Sequence, residues 1–376
     1  MQETELRYLE GSSALKERMQ AISGREPNAS QVAFASSCLL HGRMFWESAD
    51  HASLETSPLL RYYGAAAFAK ALVIAYSAKR PQDLKQSHGL SCSAPNGDLI
   101  ADFRMTASAE GLFQEFNDVA APLNRLTYLD DAGEQVRVAP TVPSNALNAF
   151  DVSLDDCLSR AVGIDKAYLL CMGREQRLLY LYPAQGHGFV GENFNIQIGV
   201  PGPVNTIEGL ARALESVRAR APFLAGWRIR EASNAYGRST LTFINLTPPA
   251  DELRELTASD YGFLLQAPAA APPFDALETM PPLTGGWSSM PTHVAYAEPI
   301  GGHDVSEHSV VLAALLGLSS LVRYRPHIWT ACVHRRPIGN RPVDDSFLPV
   351  VEAFLETVRG SFPQFIAKAL LAGDAA

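Results

Sequence analysis

The feature that most constrains the fold is a long, almost uncharged stretch in the first quarter of the chain. Between Tyr62 and Ala78 the only charged residue is Lys70. Ser57 can accept a hydrogen bond from first-turn amides, and Pro58 has no N–H to lose at the start of a helix. This pattern predicts a helix from Ser57 that ends before Pro81. Because nearly all of its sides are apolar, the helix needs neighbouring helices to cover it.

One side of this predicted helix is flat. Gly64, Ala67 and Ala71 recur at helical spacing, so a second helix can approach closely there. The same helix carries Lys70, which either extends its ammonium group to solvent at the edge of a bundle or pairs with Glu47. Of these two arrangements, the solvent-extended lysine is the favoured interpretation.

Helical patterns occur towards both ends of the chain. Residues 3–23 predict one or two surface helices, and Asn28 can cap a helix from about Gln31 to Ala49. Near the other end, Asp304 can cap an apolar helix that runs through Val322, and a final helix starts near Asp344. These segments are the expected neighbours of the central helix.

Prolines and tryptophans refine this arrangement. Pro326 is expected to kink or end the apolar helix, and Pro349 and Pro363 are places where the final helix could break. We expect Trp46 and Trp329 to lie in the core near one end of the bundle rather than to stack on nucleic-acid bases.

The middle of the chain has a different character, because runs rich in β-branched and aromatic residues alternate with turn residues. These runs predict strands, and the first four pair as two hairpins. The predicted strands are residues 125–129, 134–139, 167–172, 177–182, 194–200, 227–231, 240–246 and 261–266. The helices predicted between them are residues 110–119, 153–163 and 205–217.

Together these patterns predict an α+β fold that is mainly α. Residues 1–105 form the first part of a helical bundle, residues 106–299 are a mixed α/β insertion, and residues 300–376 complete the bundle. The sharpest consequence is a direct contact between the helical segments Tyr62–Ala78 and Val310–Val322.

Charge and cysteine content exclude several classes of protein. A net charge of −9 argues against a general nucleic-acid coat but permits one local basic site. The five cysteines are scattered without a CxxC pair, so neither a disulfide framework nor a metal site is expected, and no motif predicts a cofactor. The N-terminal residues lack the apolar core of a signal peptide, and the apolar runs are short for a membrane span, which predicts a cytoplasmic protein.

Three blocks of sequence carry a resemblance to a known family. They are FWESA at Phe45–Ala49, SPLLRYYGAAAFAKAL with a later HGL between Ser57 and Leu90, and LVRYRPHIW at Leu321–Trp329. With these blocks the chain resembles the YaaC-like family of bacterial proteins, some members of which are similar to HEPN-type helical nucleases and defence proteins. The resemblance implies a HEPN-like helical bundle formed by the two terminal parts of the chain.

The HEPN likeness also implies a catalytic pair, an arginine followed after four to six residues by a histidine. In such a pair the histidine handles the proton of the ribose 2′-hydroxyl and the arginine stabilises the phosphate charge. Three pairs come near this spacing without meeting it, with seven, seven and three intervening residues: Arg43 and His51, Arg80 and His88, and Arg323 and His327. This departure disfavours a ribonuclease of the usual kind.

The strongest local basic signal is residues 323–341, which contain five arginines and two histidines and no acidic residue. Guanidinium groups match phosphate oxygens, so this segment predicts an anion site. The alternative interpretation is that the arginines pair with Asp344, Asp345 and other acids, or that they lie in a solvated loop. The candidate anion-binding residues are Arg323, Arg325, Arg335 and Arg336.

Two histidines extend this hypothesis. We expect Arg325, His327 and His88 to border an anion-binding cleft at the end of the apolar helix, and His88 and His327 are the candidates for a catalytic base. The alternatives are an arginine that bonds the last helical carbonyls and a His88 that bonds backbone carbonyls in its loop.

Two functions follow from these observations. The first is a non-catalytic interaction or regulatory module that self-associates or binds a protein partner or an anionic ligand, such as a phosphate-bearing molecule or RNA. The second, implied by the resemblance, is a metal-independent HEPN-like ribonuclease or a nucleotide-responsive effector in bacterial antiphage defence.

Overall fold

The computed structural model describes most of the chain. The described residues are 2–93, 100–123, 126–129, 135–138, 151–183, 195–235, 238–259, 262–265, 294–302, 305–337 and 346–371. Asp304, Arg341, Asp344 and Asp345 lie outside them, as does the turn that the neighbouring residues Pro95, Asn96 and Gly97 predict.

The described elements confirm a mainly helical α+β fold. The helices are α1 (Gln2–Leu9), α2 (Ser12–Ser23), α3 (Ala29–His51), α4 (Ser57–Ser77), α5 (Leu112–Leu123), α6 (Leu154–Leu158), α7 (Asp165–Met172), α8 (Ile207–Arg220), α9 (Glu307–Tyr324), α10 (Pro326–Val333) and α11 (Leu348–Leu371). The strands are β1 (Leu90–Ser93), β2 (Arg104–Ala107), β3 (Leu126–Leu129), β4 (Gln135–Val138), β5 (Asp151–Ser153), β6 (Leu178–Pro183), β7 (Asn195–Val200), β8 (Arg228–Ala235), β9 (Arg238–Ile244), β10 (Leu256–Ser259), β11 (Gly262–Leu265) and β12 (Val294–Ala297). None of the described helices is both long enough and apolar enough to cross a membrane.

The chain divides into two compact units. Unit 1 contains residues 1–123, 144–176 and 300–376, and unit 2 contains residues 124–143 and 177–299. Residues 106–123 and 144–176, which the sequence pattern assigned to the insertion, therefore group with the terminal helices. The physical reason is that α5 packs on α4 and α9, α6 packs on α9, and α7 packs on α11.

Helix α4 lies at the centre of unit 1, as its apolar sequence requires. It packs against α3, α9, α5 and α11, so the predicted contact between the two apolar helices is confirmed. Nearly the whole of α9 is buried as well, including the run from Val310 to Leu316. A three-stranded antiparallel sheet, in the order β1-β2-β5, completes this unit.

A proline inside α11 explains one of the long-range hydrogen bonds of the bundle. Pro363 has no N–H for the carbonyl of Arg359 four residues earlier, yet α11 continues through it. The indole Nε1 of Trp46 donates to that carbonyl at 2.9 Å. Trp46 and Trp329 are both buried, which confirms their predicted place in the core. The predicted break at Pro363 does not occur.

Unit 2 is built on a seven-stranded antiparallel sheet in the order β10-β11-β8-β9-β7-β6-β12. Its apolar core contains Ile196, Ile198 and Phe243 from the sheet and Leu210 and Leu214 from α8. The β3–β4 hairpin is a separate two-stranded sheet of this unit.

Two local predictions need correction or refinement. The segment 167–172 was expected to be a strand, but it lies in helix α7, which starts at Asp165 and ends at Gly173 with a left-handed backbone. Asp165 in the first turn and Gly173 after the last turn are both helix signals. The residues between them also suit a strand, which led to the wrong prediction. At α9, Ser306 is the N-cap residue, and its side chain makes no capping hydrogen bond.

Candidate functional site

The antiparallel pair of helices α3 and α4 forms the base of the candidate site. Two glycines allow the pair to approach closely, because a Cβ on Gly64 would lie 3.0 Å from the carbonyl oxygen of Gly42. A Cβ on Gly42 would lie 2.5 Å from the Phe68 ring. Gly64 therefore serves close helix packing, as predicted for the flat side, whereas Ala67 of the same predicted side is partly exposed.

Next to this contact the two helices enclose one side of an open groove of about 330 Å³, which we call the α3–α4 groove. Most of the lining comes from one face of α3 and one face of α4, since the lining residues recur along each helix at helical spacing. The lining residues are Phe34, Cys38, His41 and Phe45 of α3, Tyr63, Ala66, Ala67 and Lys70 of α4, Gln86 and His88 of the following loop, and Leu112 of α5. No described aspartate or glutamate is among them.

Lys70 is the distinctive residue of the groove. Its side chain is half-buried, and it forms no hydrogen bond or ion pair with any residue that the structure describes. The expected alternative partner, Glu47, instead pairs with Arg43 at 2.7 Å and with Arg7 at 3.7 Å. Lys70 is partly buried as a residue, and no described carboxylate pairs with its ammonium group, so this charge is available to an anion from outside the chain.

The neighbouring thiol does not neutralise this lysine. Cys38 lies near enough to Lys70 to interact with it electrostatically, but burial raises the pKa of the Cys38 thiol to about 11. The thiol is therefore protonated at neutral pH. Lys70 keeps its positive charge uncompensated on this side of the groove.

A rigid loop places His88 at the groove. The carbonyl oxygens of Ser87 and His88 accept hydrogen bonds from the first amides of α5, those of Leu112 and Phe113, at 3.0 and 3.1 Å. Gly89 follows with a φ of +76°, and a Cβ there would lie 2.2 Å from the side-chain oxygen of Gln114. Only glycine fits this combination of backbone angle and close approach.

His88 bonds to a buried tyrosine. The Tyr62 hydroxyl and His88 Nδ1 are 2.6 Å apart, and the two rings meet edge to face. Partial loss of water lowers the pKa of His88, and the positive charges of Arg323 and Lys70 lower it further. Burial raises the pKa of Tyr62, so its hydroxyl keeps its proton. In the tautomer with the hydrogen on Nε2, the Tyr62 hydroxyl donates to Nδ1 and the Nε2–H group can serve a ligand; in the other tautomer Nδ1 donates to the tyrosine oxygen.

Arg323 is the member of the predicted anion-binding set that reaches this neighbourhood. Its guanidinium donates to the carbonyl oxygen of Ser319 at 3.3 Å and to the Ser319 hydroxyl at 3.2 Å. The guanidinium carbon lies 5.9 Å from the ring centre of Tyr63, which lines the groove. Arg323 thus bonds a carbonyl near the end of α9, as one alternative foresaw, and also places positive charge beside His88.

The other predicted residues lie elsewhere on unit 1. Arg325 and His327 are exposed around the junction of α9 and α10, and the described contacts join neither of them to His88. Arg335 and Arg336 follow α10, where both are exposed and their backbone amides bond to carbonyls of that helix. His334 of the same segment pairs with Glu55 at 3.1 Å. The structure therefore brings together His88 and Arg323 from the predicted set.

A second opening, which we call the α1–α11 cavity, has about 390 Å³ of space. It contains more charged groups than the groove, but they satisfy one another. Arg43 donates to Glu10 at 2.5 Å and to Glu47 at 2.7 Å. Asp50 accepts from the buried Arg61 and pairs with Arg359 at 3.3 Å. These charges are structural, and for this reason the larger cavity is the poorer candidate for a ligand site.

Sequence reasoning missed Lys70, His41 and Gln86 as site residues. A usable signal existed for Lys70, because it is the single charge in an apolar helix. For His41 and Gln86 no local pattern marks a role, since they share the groove only after α3, α4 and the loop have packed. Within the described residues, no group of histidine, cysteine, aspartate and glutamate side chains could hold a metal ion.

Comparison with known proteins gives a family and no closer relative. A family model described as YaaC-like Protein matches residues 4–201, which is more than half of the chain and includes every residue that lines the groove. No curated protein and no solved structure matches the chain. On the strength of the family match, this chain belongs to the YaaC-like family.

Proposed function

We propose that this protein is a non-catalytic binding module whose α3–α4 groove holds a small anionic ligand. The observation that carries the proposal is Lys70, a partly buried lysine without a described partner in a groove whose described lining contains no acidic residue. His88 and His41 add hydrogen-bond donors beside it, and Arg323 adds positive charge near His88.

The test is calorimetric titration of the whole protein with inorganic phosphate and with acetate. Charge-assisted hydrogen bonds contribute about 1.5–3 kcal/mol, so Lys70→Gln should weaken saturable binding by about tenfold or more. Lys166→Gln is the matched control, because Lys166 is an exposed lysine of α7 with the same charge and no described partner. Equal affinities for the native protein and Lys70→Gln would reject the proposal.

A specific observation favours a second candidate, the HEPN-like ribonuclease. The Tyr62 hydroxyl orients His88, and the positive charge of Arg323 acts on the same imidazole. A neutral imidazole beside a guanidinium has the two groups that cleavage next to a ribose 2′-hydroxyl needs. Its test is incubation of a labelled RNA oligonucleotide with the native protein in a metal-chelating buffer. Cleavage that is lost in both His88→Ala and Arg323→Ala would replace the binding module with the enzyme, and intact RNA would dismiss the ribonuclease.

A further inference from the structure

The two ends of the α3–α4 groove differ in chemistry. At one end Phe45 and Tyr63 lie with their ring centres 5.7 Å apart, and more than a third of each residue is exposed. At the other end are Lys70 and, across from it on α3, Cys38. The two accessible aromatic rings and the Lys70 ammonium group thus lie at opposite ends of the groove, and the Arg323 guanidinium is 5.9 Å from the Tyr63 ring centre at the aromatic end.

The floor between these ends is smooth and of defined length. Tyr63, Ala66, Ala67 and Lys70 lie on one face of α4, at relative positions 0, 3, 4 and 7. Seven residues of an α-helix rise about 10 Å, so this is the distance from the aromatic end to the lysine end. The two alanines leave room for a flat group to lie on the helix, where larger side chains would fill the space.

Most of the surface along this path is apolar. Besides Lys70, the polar side chains of the lining are His41, Gln86 and His88, together with the Tyr63 hydroxyl and the protonated thiol of Cys38. A polyphosphate or a sugar would leave many of its own polar groups without partners in such a place. A molecule with a single anionic group and an apolar body has few polar groups that could be left without partners.

We infer that the ligand of the groove is an amphipathic aromatic anion, with its flat apolar body against Phe45 and Tyr63 and its single negative group on Lys70. This inference rests on the proposed function, because it specifies the ligand class of the same site. Charge complementarity sets the position of the anionic group, and the aromatic pair sets the position of the ring.

Biphenyl-4-carboxylate has the required length and charge, and it is the probe for titration of the whole protein. Its neutral analogue, 4-phenylbenzyl alcohol, keeps the rings without the charge, and acetate keeps the charge without the rings. We expect the biphenyl acid to bind at least tenfold more tightly than either. Lys70→Met should reduce its affinity to that of the alcohol, whereas Ala67→Leu should reduce the affinities of acid and alcohol together because leucine fills the floor.

The outcomes separate this inference from the proposed function. If acetate and phosphate bind through Lys70 but the biphenyl acid binds no more tightly than acetate, the ligand class is wrong and the anion site stands. If no anion binds, or if Lys70→Met binds every anion as the native protein does, both fail. Circular dichroism of the two variants checks that each is folded. Should Ala67→Leu be unfolded, the comparison of acid with alcohol on the native protein and Lys70→Met still decides the question.

Discussion

The α3–α4 groove and the α1–α11 cavity are openings of similar volume, about 330 and 390 Å³, and helix α3 lines both. Their charges are arranged in opposite ways. In the cavity, Arg43 and Arg359 each pair with a carboxylate of the same chain, and the lining residue Asp50 also pairs with Arg61. In the groove, Lys70 has no described carboxylate partner, and the histidines beside it add no negative charge.

This difference teaches that the number of charges in an opening is a poor guide to its role. The attraction between paired charges offsets the free energy lost when they leave water. Removing one partner leaves the other charge uncompensated and lowers the stability of the fold. An unpaired charge contributes little to stability and is available to a ligand. Substitution of a paired charge at the cavity is therefore expected to lower the stability of the protein. Substitution of Lys70 in the groove is expected to lower the affinity for an anionic ligand.

The largest expected effect comes from Arg61→Met, which removes a partner of Asp50 at the cavity. The Arg61 side chain is buried, pairs with Asp50, and lies 4.8 Å from the centre of the Trp46 ring. Loss of the buried cation should lower the free energy of unfolding by about 3 kcal/mol, because Asp50 loses its main partner. Lys70→Met is the matched substitution in the groove and should change stability by less than about 1 kcal/mol. Urea unfolding measures both, and equal losses in the two variants would contradict the comparison.

Two alanines of α4 give the next largest difference. Ala71 is fully buried, so Ala71→Leu should overpack the core and lower the free energy of unfolding by about 2 kcal/mol. Ala67 lines the groove and is partly exposed, so Ala67→Leu should cost less than about 0.5 kcal/mol. Thermal unfolding of the pair measures the difference. A larger loss of stability for Ala67→Leu than for Ala71→Leu would show that Ala67 is packed in the core and does not line an open groove.

The buried histidine of α9 should make the stability of the protein depend on pH. His308 of α9 is buried against Phe365, its Nδ1 has no hydrogen-bond partner among the described residues, and burial lowers its pKa to about 3. The unfolded chain binds a proton near pH 6.5, so between pH 6.5 and 3 the unfolded state holds a proton that the folded state lacks. Stability should therefore fall as the pH falls through this range, by about 1 kcal/mol at pH 5.5 from this residue.

The control for this effect is His308→Gln, which cannot titrate. Its free energy of unfolding should depend less steeply on pH between 6.5 and 5 than that of the native protein. Urea unfolding at a series of pH values gives both curves. Parallel curves for the two proteins would mean that His308 has the same pKa in the folded and the unfolded state.

The architecture of unit 1 could be predicted from sequence because its signals are local. The apolar run of α4, the Asn28–Gln31 capping box of α3 and the apolar run of α9 each mark a helix by their own residues. The helix at 165–172 was mistaken for a strand because Tyr168, Leu169 and Leu170 suit both states in isolation. Its grouping with the terminal helices depends on contacts with α11 that no local pattern contains.

The candidate site was predictable in part for the same reason. His88 and Arg323 could be selected from their local sequence, because His88 precedes Gly89 and Arg323 lies at the end of an apolar helix. The bond from Tyr62 to His88 joins residues 26 positions apart and depends on the Gly89 turn, so no spacing rule exposes it. Lys70 was visible, but its role depends on which carboxylates come near it, and that information appears only after folding.

Lys70, which has no partner among the described residues, is proposed as the anion-binding group of the α3–α4 groove. A crystal structure with 4′-bromobiphenyl-4-carboxylate tests this directly, because the anomalous signal of bromine fixes the orientation of the ligand. We expect bromine beside Phe45 and Tyr63 and the carboxylate within hydrogen-bonding distance of the Lys70 ammonium group. A carboxylate bound at Arg325, Arg335 or Arg336, or a ligand in the α1–α11 cavity, with Lys70 left unoccupied, would contradict the claim.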